Sequence, residues 1–252
     1  LGNCSDTETF TITIDDANGL HWVNCPADII LNNDVDKCGA NANWAPPTAI
    51  DDCTVPNNVI VSGPTGGTPG SFFSIAGSPH AIKYEATDGN GNTITCQFTV
   101  TVSDMQLPLI TCPNNVTVSA NASCQYVGTA VLNATASDNC PGVTLSNSVD
   151  NTNSLVGEVF GLGTYTITWT ATDAANLTRT CDFVLTVKDD TPPTLTCPAN
   201  LVAVCSAGEQ AAYADFIAFQ NALGSAADNC GVNNASFVLL SQTDNGLTCP
   251  QT

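Results

Sequence analysis

The stretch ITWTATDAANLTRTCDFVLTVKDD, residues 167–190, decides how this chain folds, and IKYEATDGNGNTITCQFTVTVSD, residues 82–104, is a second copy of it. In both copies apolar and polar side chains alternate on either side of a short turn, the period of two that is typical of half-buried β-strands. The alternating apolar residues are Ile82, Tyr84, Ala86, Phe98, Val100 and Val102 in one copy and Ile167, Trp169, Ala171, Phe183, Leu185 and Val187 in the other. The turns are rich in Asp, Asn and Gly, which tolerate positive φ, so each copy predicts a β-hairpin. A similar alternation occurs at Phe10, Ile12 and Ile14.

Around these hairpins the same order of cysteines occurs three times. A Cys-Pro pair opens each copy, a second cysteine follows, and an Asp-Asp-Cys or Asp-Asn-Cys comes third. The Cys-Pro cysteines are Cys25, Cys112 and Cys197, and the third cysteines are Cys53, Cys140 and Cys230. The copies are shifted by about 87 and then about 85 residues, so the repeating unit is one small domain long.

The repeat divides the chain into four pieces. Residues 1–23 are predicted to be the last strand of a preceding module, 24–104 and 105–188 to be complete modules, and 189–252 to be the start of a variant third module. Because the chain starts and stops within a module, we expect it to be part of something longer. Short strands separated by turn signals predict an all-β chain of tandem β-sandwiches with about seven strands each, in which Trp44 belongs to the core.

The third module is predicted to differ by an inserted helix. Ser206 and Glu209 form a capping box, and the alanine-rich stretch that follows predicts a helix at about residues 210–223. Gly224 offers a stop at its end. Its apolar face is predicted to contain Ala212, Phe216, Phe219 and Leu223.

Composition restricts the class of protein. The chain of 252 residues has 23 acidic and 4 basic residues and a net charge of −19, which repels nucleic acid and anionic membranes. Its 13 cysteines include no Cys-x-x-Cys, and His21 and His80 are the only histidines, so a disulfide framework is predicted and a zinc site is not. Disulfides place the chain in an oxidising compartment.

No catalytic residues are predicted. His21 lies in a linker and His80 at the start of a strand, without the base-nucleophile arrangement of a triad. Paired carboxylates such as Asp51 and Asp52 lie in loops without an aromatic-lined cleft, which argues against a glycosidase.

The aspartates have a better use as calcium ligands. Asp104, Asp189 and Asp190 lie at module junctions, and Asp88 and Asp173 lie in hairpin turns, where oxygen ligands could gather around Ca²⁺. The alternative, that these residues cap turns and keep the surface soluble, stays open.

The sequence also contains six Asn-x-Ser/Thr sequons, which are candidate glycosylation sites. They begin at Asn3, Asn115, Asn121, Asn133, Asn176 and Asn234.

The motifs together resemble the HYR (hyalin repeat) domain. The resemblance is carried by TCPNNVTVSANASC, ASDNC, WTATD and CDFVLTVKDDTPP, at residues 111–124, 136–140, 169–173 and 181–193. It implies an extracellular module related to the immunoglobulin fold and implicated in adhesion. Ala-Asp-Asn-Cys at 227–230 and Thr-Cys-Pro-Gln at 248–251 further resemble repeats of very large surface adhesins of gliding Bacteroidota.

Disulfide partners can be predicted from the expected order of strands. If the first two strands of a module pair antiparallel, Cys25 meets Cys53 and Cys112 meets Cys140. By exclusion, Cys38 then joins Cys96 and Cys124 joins Cys181. In the third module Cys197 is expected to join Cys230, which leaves Cys205 and Cys249 for each other or for partners beyond the sequence, while the partner of Cys4 is expected to lie outside it.

Two non-enzymatic functions follow from these features. The first is a repeat segment of a long cell-surface adhesin, a semi-rigid stalk whose partners are adjacent modules of the same chain and, through its loops, surface polysaccharide or other cells. Pro108, Pro192 and Pro193 at the junctions favour short, stiff links. The second is a structural subunit of an extracellular homo-filament whose modules contact only each other. Exposed loop aromatics would favour adhesion, and Trp22, Phe72 and Phe73 are the candidates.

Overall fold

The computed structural model describes residues 19–52, 58–196 and 215–233, and these residues form an almost entirely β structure. The strands are β1 His21–Trp22, β2 Ile29–Asn32, β3 Gly39–Asn41, β4 Ala49–Ile50, β5 Ile60–Thr65, β6 Phe72–Ser74, β7 His80–Thr87, β8 Thr93–Ser103, β9 Leu109–Thr111, β10 Val116–Ser119, β11 Tyr126–Val127, β12 Thr135–Ser137, β13 Thr144–Asn147, β14 Val159–Phe160, β15 Gly163–Thr172, β16 Thr178–Lys188, β17 Thr194–Thr196 and β18 Ser225–Ala227. A 3₁₀ turn spans Ala130–Leu132, and one α-helix, α1, spans Phe216–Asn221.

The first two repeats have the same strand topology. The first contains a four-stranded sheet in the order β2-β8-β7-β5 and the pairs β3-β6 and β1-β4, and the second contains the order β10-β16-β15-β13 and the pairs β11-β14 and β12-β9. This is the immunoglobulin-like β-sandwich that the hairpins predicted, and the described residues of each repeat form eight strands instead of about seven. The additional pairing involves strands of two or three residues, which are too short to show an alternation in sequence.

Each repeat has its own apolar core. The residues predicted to face inward on β7, β8, β15 and β16 are all buried, and Trp169 and Leu185 are 0% exposed. Trp44 lies in the first core, as predicted, and its Nε1 donates to Tyr84 Oη at 2.9 Å. In the second core the buried tryptophan is Trp169 on β15, and its Nε1 donates to a backbone carbonyl, that of Leu132, at 3.1 Å. The indoles of Trp44 and Trp169 therefore have their one donor satisfied, whereas Trp22 Nε1 is buried without a partner among the described residues.

The first strand of each four-stranded sheet pairs parallel with the last. Ile29 lies opposite Val100, and Val116 lies opposite Leu185. Counting back four residues on each strand brings the Cys-Pro cysteine beside the cysteine of the last strand. The disulfides Cys25–Cys96 and Cys112–Cys181 form there, with Cα separations of 5.7 and 5.8 Å.

The second and third cysteines are joined in a different way. Cys38, the second cysteine of the first repeat, is bonded to Cys140, the third cysteine of the second repeat, with a Cα separation of 4.8 Å. Cys124–Cys230 repeats this bond between the second and third repeats, at 4.9 Å.

The predicted disulfide partners are therefore wrong. The structure replaces Cys25–Cys53, Cys38–Cys96, Cys112–Cys140, Cys124–Cys181 and Cys197–Cys230 by the four bonds above. The error arose because β2 and β10 were expected to pair antiparallel with the next strand of the chain, whereas they pair parallel with the last. Cys4, Cys53, Cys197, Cys205 and Cys249 lie outside the described residues.

The inserted helix of the third repeat is shorter than predicted. Asp215 is extended, with φ −155° and ψ 176°, and its Oδ1 accepts from Ala218 N, so the helix begins at Phe216 and not near residue 210. Phe216 and Phe219 are buried as predicted, but Leu223 is 86% exposed because it adopts φ 72° after the helix has ended. Gly224 N then donates to Phe219 O, the capping that its position predicted. The predicted capping box and Ala212 lie outside the described residues.

The chain divides into two compact units whose limits differ from those of the repeats. The first unit comprises the described residues up to Leu109 together with Ala136–Thr144 and Ala171–Arg179. The second comprises Ile110–Thr135, Leu145–Thr170 and the described residues from Thr180 onward. Two loops of the second repeat therefore belong to the first unit, and the loop that contains Cys140 is one of them.

In the three described ranges, no helix has the length and apolar character needed to cross a lipid bilayer.

We expect Leu185→Ala to destabilise the chain by about 2–5 kcal/mol, because the side chain is fully buried on β16. Leu162→Ala is the matched control, since this leucine is 45% exposed and should cost less than about 0.5 kcal/mol. Urea unfolding followed by tryptophan fluorescence measures both variants. Equal losses in the two variants would contradict the assignment of the core.

Peptide mapping without reduction checks the disulfides. Residues 105–137 contain no Asp, so an Asp-specific protease must be combined with elastase, which can cleave after the valines and alanines between Cys112 and Cys124. Mass spectrometry should then show cross-linked peptides that contain Cys25 with Cys96, Cys38 with Cys140, Cys112 with Cys181 and Cys124 with Cys230. Recovery of Cys38 linked to Cys96 would mean that the parallel pairing of β2 and β8 is wrong.

Candidate functional site around the Cys38–Cys140 disulfide

Three segments of the first compact unit meet at the Cys38–Cys140 disulfide. The first is the turn after β2, residues 33–38, the second is the stretch after β8, residues 104–109, and the third is the loop after β12, residues 138–140. Because β2 and β8 pair in parallel, their carboxyl ends lie side by side. Asn33 N donates to Ser103 O at 3.0 Å, and Met105 N donates to Asn33 Oδ1 at 3.0 Å.

Side chains hold the first two segments in register. Gln106 Nε2 donates to Asp36 Oδ1 at 3.0 Å, and Gln106 Oε1 accepts from Asp36 N at 2.9 Å. Asp36 adopts φ 58°, a left-handed conformation that Asp tolerates better than most residues.

A cavity of about 260 Å³ lies at this place. It is lined by Asp36, Gln106, Leu107, Leu109, Ser137, Asp138 and Asn139.

The third segment is anchored by the Asp-Asn-Cys motif itself. Asp138 Oδ2 accepts from Cys140 N at 2.9 Å, and Asn139 Nδ2 donates to Lys37 O at 3.0 Å. Because the amide nitrogen of Asn139 donates to Lys37 O, the orientation of the amide is fixed, and Asn139 Oδ1 points away from that carbonyl.

Three buried oxygens at this place have no hydrogen-bond partner among the described residues. They are Asp104 Oδ2, Asp138 Oδ1 and Asn139 Oδ1. A carboxylate oxygen of Asp104, one of Asp138 and the sulfur of Cys140 lie within 4.8 Å of one another. The sulfur is part of a disulfide and is not a thiolate, so the groups able to bind a metal here are the oxygens, which suit a hard divalent cation.

The second compact unit contains a copy of this arrangement. Asp189, Asp228 and Cys230 are grouped within the same limit of 4.8 Å, and Asn229 Oδ1 is again buried without a partner among the described residues. Asn229 Nδ2 donates to Asn121 O at 3.1 Å, and Asp228 Oδ1 accepts from Cys230 N at 2.8 Å.

Of the five aspartates predicted as calcium ligands, two lie in these clusters. Asp104 and Asp189 each accept a hydrogen bond from the backbone nitrogen two residues later, from Gln106 and Thr191 respectively, and each lies near a second carboxylate. Sequence reasoning missed that second carboxylate and the asparagine beside it. The Asp-Asn-Cys motif was the available signal, but its spacing was used only to define the repeat.

The other three predicted ligands have different surroundings. Asp190 binds Lys188 Nζ at 2.9 Å and accepts from Ser119 Oγ at 2.6 Å, and these bonds hold the pKa of Asp190 below its usual value. Burial raises the pKa of Asp88, but hydrogen bonds from Asn92 and Asn90 outweigh it, so the net pKa is lowered. Asp173 Oδ1 accepts from Leu177 N in the second hairpin turn, while its Oδ2 is buried and has no partner among the described residues.

The other predicted surface features are only partly accessible. Phe73 is buried and Trp22 packs against the first core, which leaves Phe72, 48% exposed, as the accessible member of the three candidate aromatics. Among the sequons, Asn115, Asn121 and Asn176 are exposed, whereas Asn133 is half-buried and its Nδ2 donates to Ser154 Oγ. Asn3 and Asn234 lie outside the described residues, and glycosylation of any of the six stays a prediction.

Solved structures with a detectable likeness include the extracellular domains of cadherins. Extracellular domains 1–5 of protocadherin gamma B2 are 17% identical with a TM-score of 0.38, covering 88% of this chain and 48% of that chain. Domains 1–4 of Drosophila N-cadherin are 13% identical with a TM-score of 0.34, covering 68% of this chain and 50% of that one. These likenesses are too low to carry an argument about function.

Sequence comparison is more informative. The chain is 34% identical over 215 residues to Hyalin of Strongylocentrotus purpuratus, which covers 82% of this chain and 17% of that protein. It is 26% identical over 173 residues to Hyalin of Lytechinus variegatus, covering 68% and 31%. It is 28% identical over 185 residues to the mouse Sushi, von Willebrand factor type A, EGF and pentraxin domain-containing protein 1, covering 73% and 5%.

This chain thus spans less than a third of the length of each of these relatives. The family profile described as HYR domain matches residues 22–102 and 103–187, one after the other. The two sandwiches are therefore consecutive HYR domains, and the chain belongs to the HYR domain family.

Proposed function

We propose that this chain is a non-enzymatic repeat segment of a long extracellular adhesin, in which disulfide-bonded HYR domains form a semi-rigid stalk. Membership of the HYR family supports this proposal, as does similarity to Hyalin over 82% of the chain. The small share of each relative that is covered agrees with a segment of a much longer protein.

The disulfides support an extracellular location. Four bonds join eight of the cysteines, two within repeats and two from one repeat to the next. Such bonds persist in oxidising compartments and are rare in the reducing cytosol.

The segments that these disulfides close overlap along the sequence, and this overlap is the observation that supports a role as a stalk. A covalent route runs from Cys25 across its disulfide to Cys96, along the backbone to Cys124, and across the next disulfide to Cys230. Only the stretch from Cys96 to Cys124, about 28 residues, is backbone, although about 205 residues separate Cys25 from Cys230 in sequence. A pulling force on the two ends is therefore carried by a short covalent path even when a domain unfolds.

A second route of similar length makes the part of the path between Cys25 and Cys124 redundant, while both routes share the Cys124–Cys230 disulfide. It follows the backbone from Cys25 to Cys38, crosses to Cys140, returns along the backbone to Cys124 and crosses to Cys230, with about 29 residues of backbone in all. Loss of either Cys25–Cys96 or Cys38–Cys140 leaves the other route intact. Such redundancy suits a stalk exposed to repeated mechanical load.

Finer features of this function are part of the same proposal. A partner such as surface polysaccharide or another cell is expected to be recognised elsewhere in the full-length protein or by the loops of these domains. The resemblance of the third repeat to adhesins of gliding Bacteroidota suggests a role in gliding motility.

Single-molecule force spectroscopy tests the stalk. Pulled by its two ends, the oxidised chain should reach a contour length of about 100 Å between Cys25 and Cys230, from about 28 residues at 3.3–3.6 Å each. The reduced chain should reach about 700 Å over the same segment, so the two states should differ by about 600 Å. The terminal stretches add the same length in both states and serve as an internal reference.

The double variant Cys38→Ser/Cys140→Ser provides the matched control for this measurement. Its oxidised extension should equal that of the wild-type chain, because the route through Cys96 and Cys124 remains. An oxidised wild-type chain that extends as far as the reduced one would reject the stalk.

Antibodies raised against this chain test the location. They should label intact, unpermeabilised cells of the source organism, and protease added outside the cells should remove the signal. Labelling that requires permeabilisation would place the protein inside the cell and contradict the proposal.

A further inference from the structure

We propose that Asp104, Asp138 and Asn139 form a Ca²⁺ site, and that Asp189, Asp228 and Asn229 form its second copy. The proposal rests on oxygen atoms that the fold buries and leaves without partners, and it is independent of the stalk.

The principal observation is the burial of Asp104. This side chain is 8% exposed, and its Oδ2 has no hydrogen-bond partner among the described residues. Asp138 Oδ1 and Asn139 Oδ1 are also buried atoms without a partner among the described residues, although both residues are half-buried as a whole. Buried polar atoms without partners are rare because each one costs free energy, and two of these three atoms belong to carboxylates that approach within 4.8 Å, an arrangement that suits a bound cation.

Electrostatics favours a cation over a hydrogen-bond donor. The carboxylates of Asp104 and Asp138 approach within 4.8 Å, and the ion pairs of the described residues involve other aspartates and glutamates. Lys37, the nearest lysine in sequence to the Cys38 disulfide, directs its Nζ to Asp34 at 3.5 Å. Two like charges at this distance repel each other, and a divalent cation between them reverses the sign of the interaction.

The geometry fits calcium. Oxygens bound to one Ca²⁺ at 2.3–2.6 Å lie at most about 5 Å apart, and the clustered carboxylate oxygens meet this limit. Three protein oxygens with two negative charges leave several coordination positions for water, and the adjoining cavity of about 260 Å³ has room for it. Few protein ligands imply weak binding, with a Kd of about 10⁻⁴–10⁻³ M, the range of extracellular calcium modules.

The second copy repeats the pair of aspartates and the asparagine, although its two aspartates are only half-buried and Asn229 supplies its one buried oxygen without a partner among the described residues. Asp189 and Asp228 approach within 4.8 Å. In both copies the asparagine nitrogen is used by a backbone carbonyl, which aims the asparagine oxygen away from that carbonyl. Two disulfides hold the two clusters in the same way, so both sites should bind Ca²⁺.

Calorimetric titration of the oxidised 252-residue chain with CaCl2 tests the proposal. It should show two sites with a Kd of about 10⁻⁴–10⁻³ M, and Asp104→Asn should remove one of them. Asp104→Asn with Asp189→Asn should remove both. Asp182→Asn is the matched control, because it deletes the same charge from an exposed position on β16 and should keep both sites.

Thermal unfolding adds a readout that a purely structural aspartate would not give. At 10 mM CaCl2 the melting temperature of the wild-type chain should rise by about 6–20 °C relative to chelator, with NaCl of equal ionic strength as the salt control. In chelator Asp104→Asn should be at least as stable as wild type, because the new amide removes the repulsion and can donate to Asp138. In 10 mM CaCl2 the wild-type chain should be the more stable of the two.

Mn²⁺ provides a test on the unaltered chain. At low Mn²⁺ concentration, paramagnetic broadening should be strongest at the side-chain amides of Asn139 and Asn229. Uniform broadening over the acidic surface, or two sites retained in the double variant, would identify diffuse counterion binding and overturn the proposal. Absence of any calcium effect on the wild-type chain would also overturn it.

Discussion

The parallel pairing of the first and last strands of each four-stranded sheet is the constraint on which the other features depend. It places Cys25 beside Cys96 and Cys112 beside Cys181, because each cysteine lies four residues before a paired position. With the first and fourth cysteines joined, the second and third are left to bond each other or a cysteine of a neighbouring repeat, and the structure shows the second of these for Cys38 and Cys124. Cys38 lies in the turn after β2, at the same edge as the end of β8, and there it meets Cys140. That disulfide brings Asp138 and Asn139 to Asp104, so strand pairing ultimately determines where the buried oxygens gather.

The sequence predicts the elements of this fold better than their partners. Alternation at Phe98, Val100 and Val102 reports that one face of a strand is buried, and the structure confirms it. Alternation does not state which strand lies alongside, or in which direction. Ile29 and Leu31 show the alternation of a strand but not its partner, and pairing with the next strand of the chain predicts disulfides that differ from those of the parallel pair β2-β8. Four cysteines allow three connectivities within a domain, but none of the three contains a bond to the next repeat.

The candidate site was predictable in part for a similar reason. Asp104 and Asp189 stand out at the ends of long strands, where acidic residues of a repeat protein can meet. Composition alone does not separate them from Asp190, whose charge is balanced by Lys188, or from Asp88, whose carboxylate accepts bonds from Asn92. These aspartates differ in whether their carboxylate oxygens have hydrogen-bond or ion-pair partners. Those partners come from segments that are far apart in sequence. Asp138 and Asn139 are about 35 residues from Asp104, beyond the reach of local pattern analysis.

The two kinds of disulfide act on different parts of the stability. Cys25–Cys96 and Cys112–Cys181 close loops of 71 and 69 residues within a repeat, which in the chain-entropy model contributes about 4 kcal/mol each. Cys38–Cys140 and Cys124–Cys230 hold acidic segments together in a chain with a net charge of −19. Without these bonds, the repulsion between Asp104 and Asp138 favours separation of the segments that contain them. A covalent bond opposes this repulsion at all times, whereas the Ca²⁺ that we propose would oppose it only when calcium is present. The stiffness of this part of the chain should therefore follow the calcium concentration, while its connectivity does not.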